Sequence, residues 1–196
     1  MSDAEKGPGA LRDRLVDVGT RLVAEEGAQA LTLREIARRA GVSHGAPRRY
    51  FPTHLELLSA IARRGFAELA ERVAAALGDG TASPRAQLTA LGRVHLEFAL
   101  GNRGMYELMF RHDLLESGHL GLRDTSLPLF GILVDLVARV RPGADARLVA
   151  GSLWAGLHGV AQLWGWGSLQ LATGADDLAP LLRTVLDAHL GPEETP

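Results

Sequence analysis

Three features of the sequence predict an all-α fold. Apolar residues recur at three- and four-residue spacing along most of the chain, no useful stretch alternates in strand fashion, and the breaks fall at glycine, proline and capping residues. We read roughly nine helices, with no internal repeat. A length of 196 residues with 46% hydrophobic content suits one large globular domain, or a small domain fused to a medium one.

The N-terminal MSDAEKGPGALRDR carries acids and lacks an apolar core, so residues 1–9 read as a disordered lead-in rather than a signal peptide. Leu11, Leu15, Val18, Leu22 and Val23 share one helical face, and the run stops at Gly27, a plausible C-terminal glycine. Thr32 and Glu35 form a capping box that opens a short helix over Leu33 to Ala40, with Leu33, Ile36 and Ala37 on its apolar side and Gly41 at its end. Ser43 is placed to cap the next helix, and Pro52 breaks it. A second capping box, Thr53 with Glu56, opens a long amphipathic helix from His54 to about Leu77. GDGTASP, Gly78 to Pro84, is a turn in which Ser83 caps a helix running toward Leu100. Further helices are expected around 105–115, 125–140, 144–171 and 178–190, with an RPG turn at Arg141 to Gly143 and a disordered tail at 192–196.

The formal net charge is −2, yet its distribution is uneven. From Leu31 to Arg64 seven arginines face two acids, Glu35 and Glu56, so this segment carries +5 and the rest of the chain −7. A basic segment in an acidic protein is the asymmetry expected where one small region touches a polyanion, although a solvated helix face would look the same. There is no cysteine, which rules out disulfides, thiolate metal sites and a cysteine nucleophile. The apolar stretch from Gly151 to Trp166 is too rich in glycine and alanine, and too polar at His158 and Gln162, for a membrane span. A soluble, cytoplasmic protein without a membrane partner is expected.

Two short helices joined by a glycine-containing turn, here Gly41 to Ser43, make a helix-turn-helix pattern, whose second helix enters the DNA major groove by its N-terminal part. With Ser43 as N-cap, Pro47 falls at the fourth helical position, where a missing N–H costs little. Gly45 keeps the helix slim, and the free amides and dipole of its N-terminus suit a phosphate. His44, Arg48 and Arg49 are the long polar side chains within reach of bases or backbone. Phe51 is expected to pack inward and Tyr50 to point outward.

The run LTLREIARRAGVSHGAPRRYFPTHLELLSAIA, Leu31 to Ala62, resembles the DNA-binding domain of TetR-family transcriptional regulators: a Thr-capped helix, a Gly-Val turn, a short recognition helix ending in an aromatic pair, and a capped long helix. The resemblance implies a DNA-binding domain over 10–56 with its motif at 32–51, a connecting helix at 57–77, and a ligand-binding and dimerisation domain at 78–191. It implies DNA contacts from Thr32, Arg34, Ser43, His44, Gly45, Ala46, Arg48, Arg49, Tyr50 and His54. The family usually has tyrosine where this chain has Arg48, and lysine where it has His54. A guanidinium replaces the tyrosine hydroxyl with a charged, bidentate donor, whereas a histidine is largely neutral at pH 7.

NRGMYELMF (Asn102 to Phe110) and WAGLHGVAQLW (Trp154 to Trp164) look like motifs of a TetR-family C-terminal subtype with a Trp-His-Gly signature. Met105, Tyr106, Met109, Phe110 and Phe130 could line an apolar pocket, and Trp154 with His158 share a helix face beside it; a plain core would use the same residues. Gly151, Ala155 and Gly159 recur every four residues and permit close helix packing, in a dimer seam or a tight core. The resemblance adds Leu182, Val185 and Leu186 of the last helix to the expected dimer interface. His112, Glu116 and His119 have a spacing compatible with a divalent metal, but no cysteine or partner cluster supports one, and no metal or other cofactor is expected.

No nucleophile elbow, P-loop or strand-borne Gly-x-Gly-x-x-Gly supports catalysis. The expected protein is a homodimeric regulator released from a double-stranded DNA operator by a small, apolar, unidentified effector. The alternative is an all-α ligand-binding protein or enzyme in which the helix-turn-helix only packs.

Overall fold

Helix α1 (Pro8–Glu26) buries Leu15, Val18, Leu22 and Val23, and it ends where the Gly27 amide reaches back to the Val23 carbonyl at 3.0 Å. The computed structural model describes residues 8–111, 113–114 and 121–192. The expected lead-in lies almost wholly outside the described residues, as do most of the expected tail and all of His112, Glu116 and His119. Eight further α-helices follow among the described residues: α2 (Leu33–Arg39), α3 (His54–Leu77), α4 (Pro84–Gly101), α5 (Arg103–Met109), α6 (Leu122–Val140), α7 (Ala146–Gly165), α8 (Ser168–Thr173) and α9 (Ala179–Leu190). No described residue is in a strand.

The fold class is as the sequence predicts, but the set of helices differs in two places. The expected recognition helix is no α-helix: Pro47–Arg49 wind as a 3-10 turn. In the C-terminal region the expected helix over 144–171 is two. It starts at the Asp145 cap, whose carboxylate accepts from the Arg147 and Leu148 amides at 3.1 Å each, and breaks at Gly167, whose φ of 77° only glycine adopts readily.

Tertiary contacts divide the chain into two compact units, residues 1–67 with 102–125, and residues 68–101 with 126–196. This cuts the chain differently from the expected boundaries at 56 and 77, because α5 belongs with the N-terminal elements. Gly104 lies so close to the end of α1 that a Cβ would strike the Val23 carbonyl oxygen. A Cβ on Gly65 of α3 would stand 2.5 Å from the Met109 sulfur and 2.7 Å from Met105 Cγ. The core of this first unit holds Leu15, Leu22, Ile36, Phe51, Leu57, Ile61 and Phe66.

In the second unit α7 and α9 pack on α4. Leu182 of α9 fills the space a side chain on Gly92 would need, at 2.6 Å, and Val185 stands 3.1 Å from a Cβ on Gly156. Arg85 ties α4 to the end of α9, donating to the Gly191 carbonyl at 2.8 Å and to Asp187.

Candidate nucleic-acid interface

The first half of the motif is built as its sequence suggests, with one exchange. The Thr32 hydroxyl accepts from the Glu35 amide at 3.2 Å, but Glu35 does not return the bond that a full capping box requires. Its carboxylate is engaged by Arg38, at 2.8 and 2.6 Å, and by Arg39 at 2.8 Å. Arg39 also reaches back to α1, pairing with Glu25 at 2.7 Å and with Glu26. Hydrogen bonds from Arg38 first, then Arg39, hold the Glu35 carboxyl down at about 2. At the other end the Val42 amide bonds to Ala37 and the Gly41 amide to Arg38, at 3.0 and 3.1 Å, with Gly41 at φ 65°. This is a Schellman turn, whose left-handed position glycine occupies at little cost.

Beyond it the backbone advances by three-residue turns. The Ala46 amide bonds to Ser43, Arg49 to Ala46 and Tyr50 to Pro47, at 3.0, 3.2 and 3.0 Å. Pro47 has no N–H to offer the Ser43 carbonyl, so the bond that would define an α-helix here cannot form. Gly45 adds no helical preference of its own. The expected N-cap role of Ser43 is not seen: the Ala46 amide, which a cap would bond through the Ser43 hydroxyl, goes to the Ser43 carbonyl instead. Pro47 is buried, and Phe51 is almost fully buried beneath the Arg12 guanidinium, which lies 5.2 Å from the ring centroid.

Thr32, Arg34, Ser43, His44, Gly45, Arg48 and Arg49 are all exposed, while Ala46 and Tyr50 are half-buried. Arg34, Arg48 and Arg49 make no ion pair among the described residues, in contrast to Arg38 and Arg39. The local positive charge is thus carried by fewer arginines than a count along the sequence suggests. His54 plays a structural part, because its Nε2 donates to the Leu31 carbonyl at 2.6 Å and pins the start of α3 to the segment before α2. The second cap is present, with the Glu56 amide 3.2 Å from the Thr53 hydroxyl.

The pocket candidates fall into separate units. Met105 and Met109 are buried around Gly65, Tyr106 is buried too, and the half-buried Phe110 stacks edge-on against Phe66 and Tyr106, at 5.7 and 4.8 Å between centroids, all within the first unit. Phe130, Trp154 and His158 belong to the second unit. There Trp154 lies 6.5 Å from Phe130 and 5.9 Å from His158, and the Arg147 guanidinium caps Phe130 at 5.7 Å. Sequence reasoning missed His95 of α4, whose pKa is held down to about 4 by burial and then by His158. Its position seven residues after Leu88, and so on the same helical face, was the available signal. His158 too is shifted down by burial, so both imidazoles are neutral at pH 7.

The expected dimer residues also separate. Leu182 and Leu186 are buried within their own unit, which removes them from a free surface, while Val185 faces Gly156 and stays half-buried. Gly151, Ala155 and Gly159 lie on the opposite side of α7 from the buried Ala150, Leu153, Leu157 and Ala161, and nothing stands within 4 Å of a Cβ at either glycine. Among the described residues the tight-core reading of that spacing therefore finds no support. Leu148 and Trp166, exposed by 69% and 70%, continue the same face.

A capped helix, a Schellman turn and an exposed basic turn ahead of a long helix define a helix-turn-helix protein. Residues 15–61 match the family model for bacterial regulatory proteins of the tetR family, and residues 88–188 match the tetracyclin repressor-like C-terminal domain. The chain belongs to the TetR family. With that membership the enzyme alternative falls. The C-terminal match bears no Trp-His-Gly designation and lends that subtype no support.

The chain is 39% identical over 83 residues to the HTH-type transcriptional regulator BetI of Rhizobium meliloti (strain 1021), a match covering 42% of this chain and only 40% of that protein. A protein of unknown function from Rhodococcus sp. RHA1 has the same fold, with a TM-score of 0.80, 25% identity and 97% of each chain covered. The multidrug binding protein EbrR, solved with imidazole, aligns with a TM-score of 0.62 and 27% identity over 94% of this chain and 97% of its own. Among the described residues no helix is long and apolar enough to cross a membrane, and no cluster of metal-binding side chains occurs.

Proposed function

We propose that the protein is a homodimeric repressor that binds a two-fold operator and leaves it when a small apolar effector binds the second unit. The observation that carries the DNA-binding part is the exposed set Arg34, Arg48 and Arg49, unpaired among the described residues, on and beside a turn that makes no other use of them. With His44 they supply the side chains that meet phosphate and base edges. Thr32, Ser43, Gly45, Ala46 and Tyr50 complete the contact surface, and His54 positions it through Leu31. The outward face of α7, from Leu148 through Gly151, Ala155 and Gly159 to Trp166, is the seam of the dimer, because a contiguous apolar face of this kind marks an interface.

Phe130, Trp154 and His158 form the effector-facing group. The neutral imidazole and the half-open indole, 36% exposed, suit an aromatic or apolar molecule. The multidrug binding of EbrR supports a ligand of that kind. Effector binding favours a dimer conformation whose turns no longer fit half-sites one DNA turn apart, roughly 34–36 Å, and operator affinity falls.

The test is binding of purified protein to DNA upstream of its own gene over a salt series. Wild type is expected to show salt-dependent, sequence-preferring binding, and Arg48→Ala to weaken it on all sequences while flattening the log–log salt slope by about one. Loss of preference at one base with an unchanged slope would move Arg48 from phosphate to a base edge. Wild-type binding indifferent to both salt and sequence would overturn the reading.

A further inference from the structure

Two elements of the first unit engage the last turn of α1. Gly104 of α5 closes on it so tightly that a Cβ there would stand 3.0 Å from Gly27 Cα as well as striking the Val23 carbonyl oxygen. The same turn carries Glu25 and Glu26, whose carboxylates reach Arg39, the last residue of α2. Arg39 uses every guanidinium nitrogen: Nε donates to Glu35 at 2.8 Å, one terminal nitrogen to Glu25 at 2.7 Å and the other to Glu26. The single nitrogen of a lysine cannot reproduce this fork. Apolar packing also joins the two helices, since a Cβ on Gly19 of α1 would stand 3.6 Å from Ile36 Cδ1. Such burial fixes how closely α2 sits, but it is non-directional. The forked guanidinium is directional, and it acts one turn beyond Ile36, where α2 ends.

That end matters because the basic turn starts from it. The Schellman turn at Gly41 and Val42 follows Arg39, and the segment with Arg48 and Arg49 follows that. Ahead of α2 the chain is already fixed, by the bond from His54 to the Leu31 carbonyl. A phosphate approaching Arg39 would meet Glu25, Glu26 and Glu35, so a part for Arg39 in DNA binding has to be indirect. Isolated exposed ion pairs contribute little, whereas one guanidinium serving three acids on two helices is a network with a defined geometry.

We propose that Arg39 is a positioning residue for DNA binding: clamped by Glu25, Glu26 and Glu35, it fixes the end of α2 against α1 and so sets the direction in which the following turn presents Arg48 and Arg49. The proposal rests on those two arginines meeting DNA. When α2 is loosened, only a fraction of molecules hold the turn aligned, and affinity for a preferred sequence falls by that fraction, while sequence-independent attraction to phosphate does not need alignment. The test compares full-chain binding to DNA upstream of its own gene and to a scrambled duplex of the same length and composition, over a salt series, with melting temperatures recorded. Arg39→Lys keeps the charge; it should lose at least about fivefold on the upstream DNA and little on the scrambled duplex, with the salt slope unchanged. Glu25→Gln/Glu26→Gln removes two negative charges from exposed positions, so charge alone would tighten both duplexes equally, whereas positioning lowers the preference for the upstream DNA by at least about fivefold. An unchanged preference in either variant overturns the proposal. So does an equal loss on both duplexes, which marks Arg39 as a phosphate contact if the slope flattens by about one and as a stability residue if the melting temperature falls. Wild-type protein without any preference takes the regulator reading down as well, while a preference that survives both variants removes this proposal alone.

Discussion

Helical glycines are seated against neighbours in both units, but in the second some also lie on an uncovered face. In the first, Gly19, Gly65 and Gly104 are all seated against a neighbouring element, so that a single added carbon would strike Ile61, Met109 or the Val23 carbonyl. In the second, Gly92 and Gly156 do the same, but Gly151 and Gly159 look onto open space. A glycine in a helix costs about 0.5–1 kcal/mol relative to alanine, and this cost needs an offset. The first unit gains it from packing within the chain. On the outer face of α7 no offset appears among the described residues, which is why we propose that face as an interface.

Gly104→Ala should break the first unit most severely. The obstacle is a backbone oxygen, which cannot rotate away, and a loss of about 3 kcal/mol in urea unfolding is expected. Gly65→Ala meets only flexible methionines and should cost about 1 kcal/mol or less; equal losses at both sites would mean that α5 does not pack as described. Gly159→Glu reads the other side of the comparison. Sedimentation equilibrium should show a shift from dimer to monomer, and an undisturbed dimer would remove the α7 face from the seam. Smallest are the pH effects, which differ between the units. His95 resists protonation when folded, so the second unit loses stability as pH falls from about 6.5 toward 4, and His95→Gln should flatten this loss. Glu35 is depressed instead: its contribution is complete above about 4.5 and disappears as pH falls toward 2, a lower window that Glu35→Gln should remove. Urea melts at stepped pH separate the two.

Much of the fold is legible in the sequence because caps and periodicity are local. Thr32, Thr53, Ser83 and Gly27 act at the positions their sequence context assigns, each within four residues of its partner. Sequence and structure part where a local rule meets a competing partner or a distant one. Pro47 reads as harmless in a first helical turn, yet the bond it lacks decides between α and 3-10 winding. The continuous apolar pattern from 144 to 171 conceals the break at Gly167, because periodicity does not report φ.

The site is legible in its residue types and less so in their availability. Arg38 and Arg39 count toward a basic patch along the sequence, but Glu35, Glu25 and Glu26 hold them, the last two across 14 and 13 residues. Leu182 and Leu186 enter the expected interface through the family resemblance, and only the tertiary structure reveals that their side of the helix is already covered by α4 and α7.

The 3-10 winding at Pro47–Arg49 has a consequence for any transfer of contacts from relatives. Successive side chains around a 3-10 turn are separated by ~120°, against ~100° in an α-helix, and each residue climbs ~2.0 Å instead of ~1.5 Å. Over the two steps from Pro47 to Arg49 the azimuth drifts by ~40° from the α-helical expectation. Alignment preserves the order of residues but not their compass bearing. If Arg48 and Arg49 contact DNA as proposed, they address different points than the same columns of a relative with a regular helix, and any operator should be determined rather than inferred.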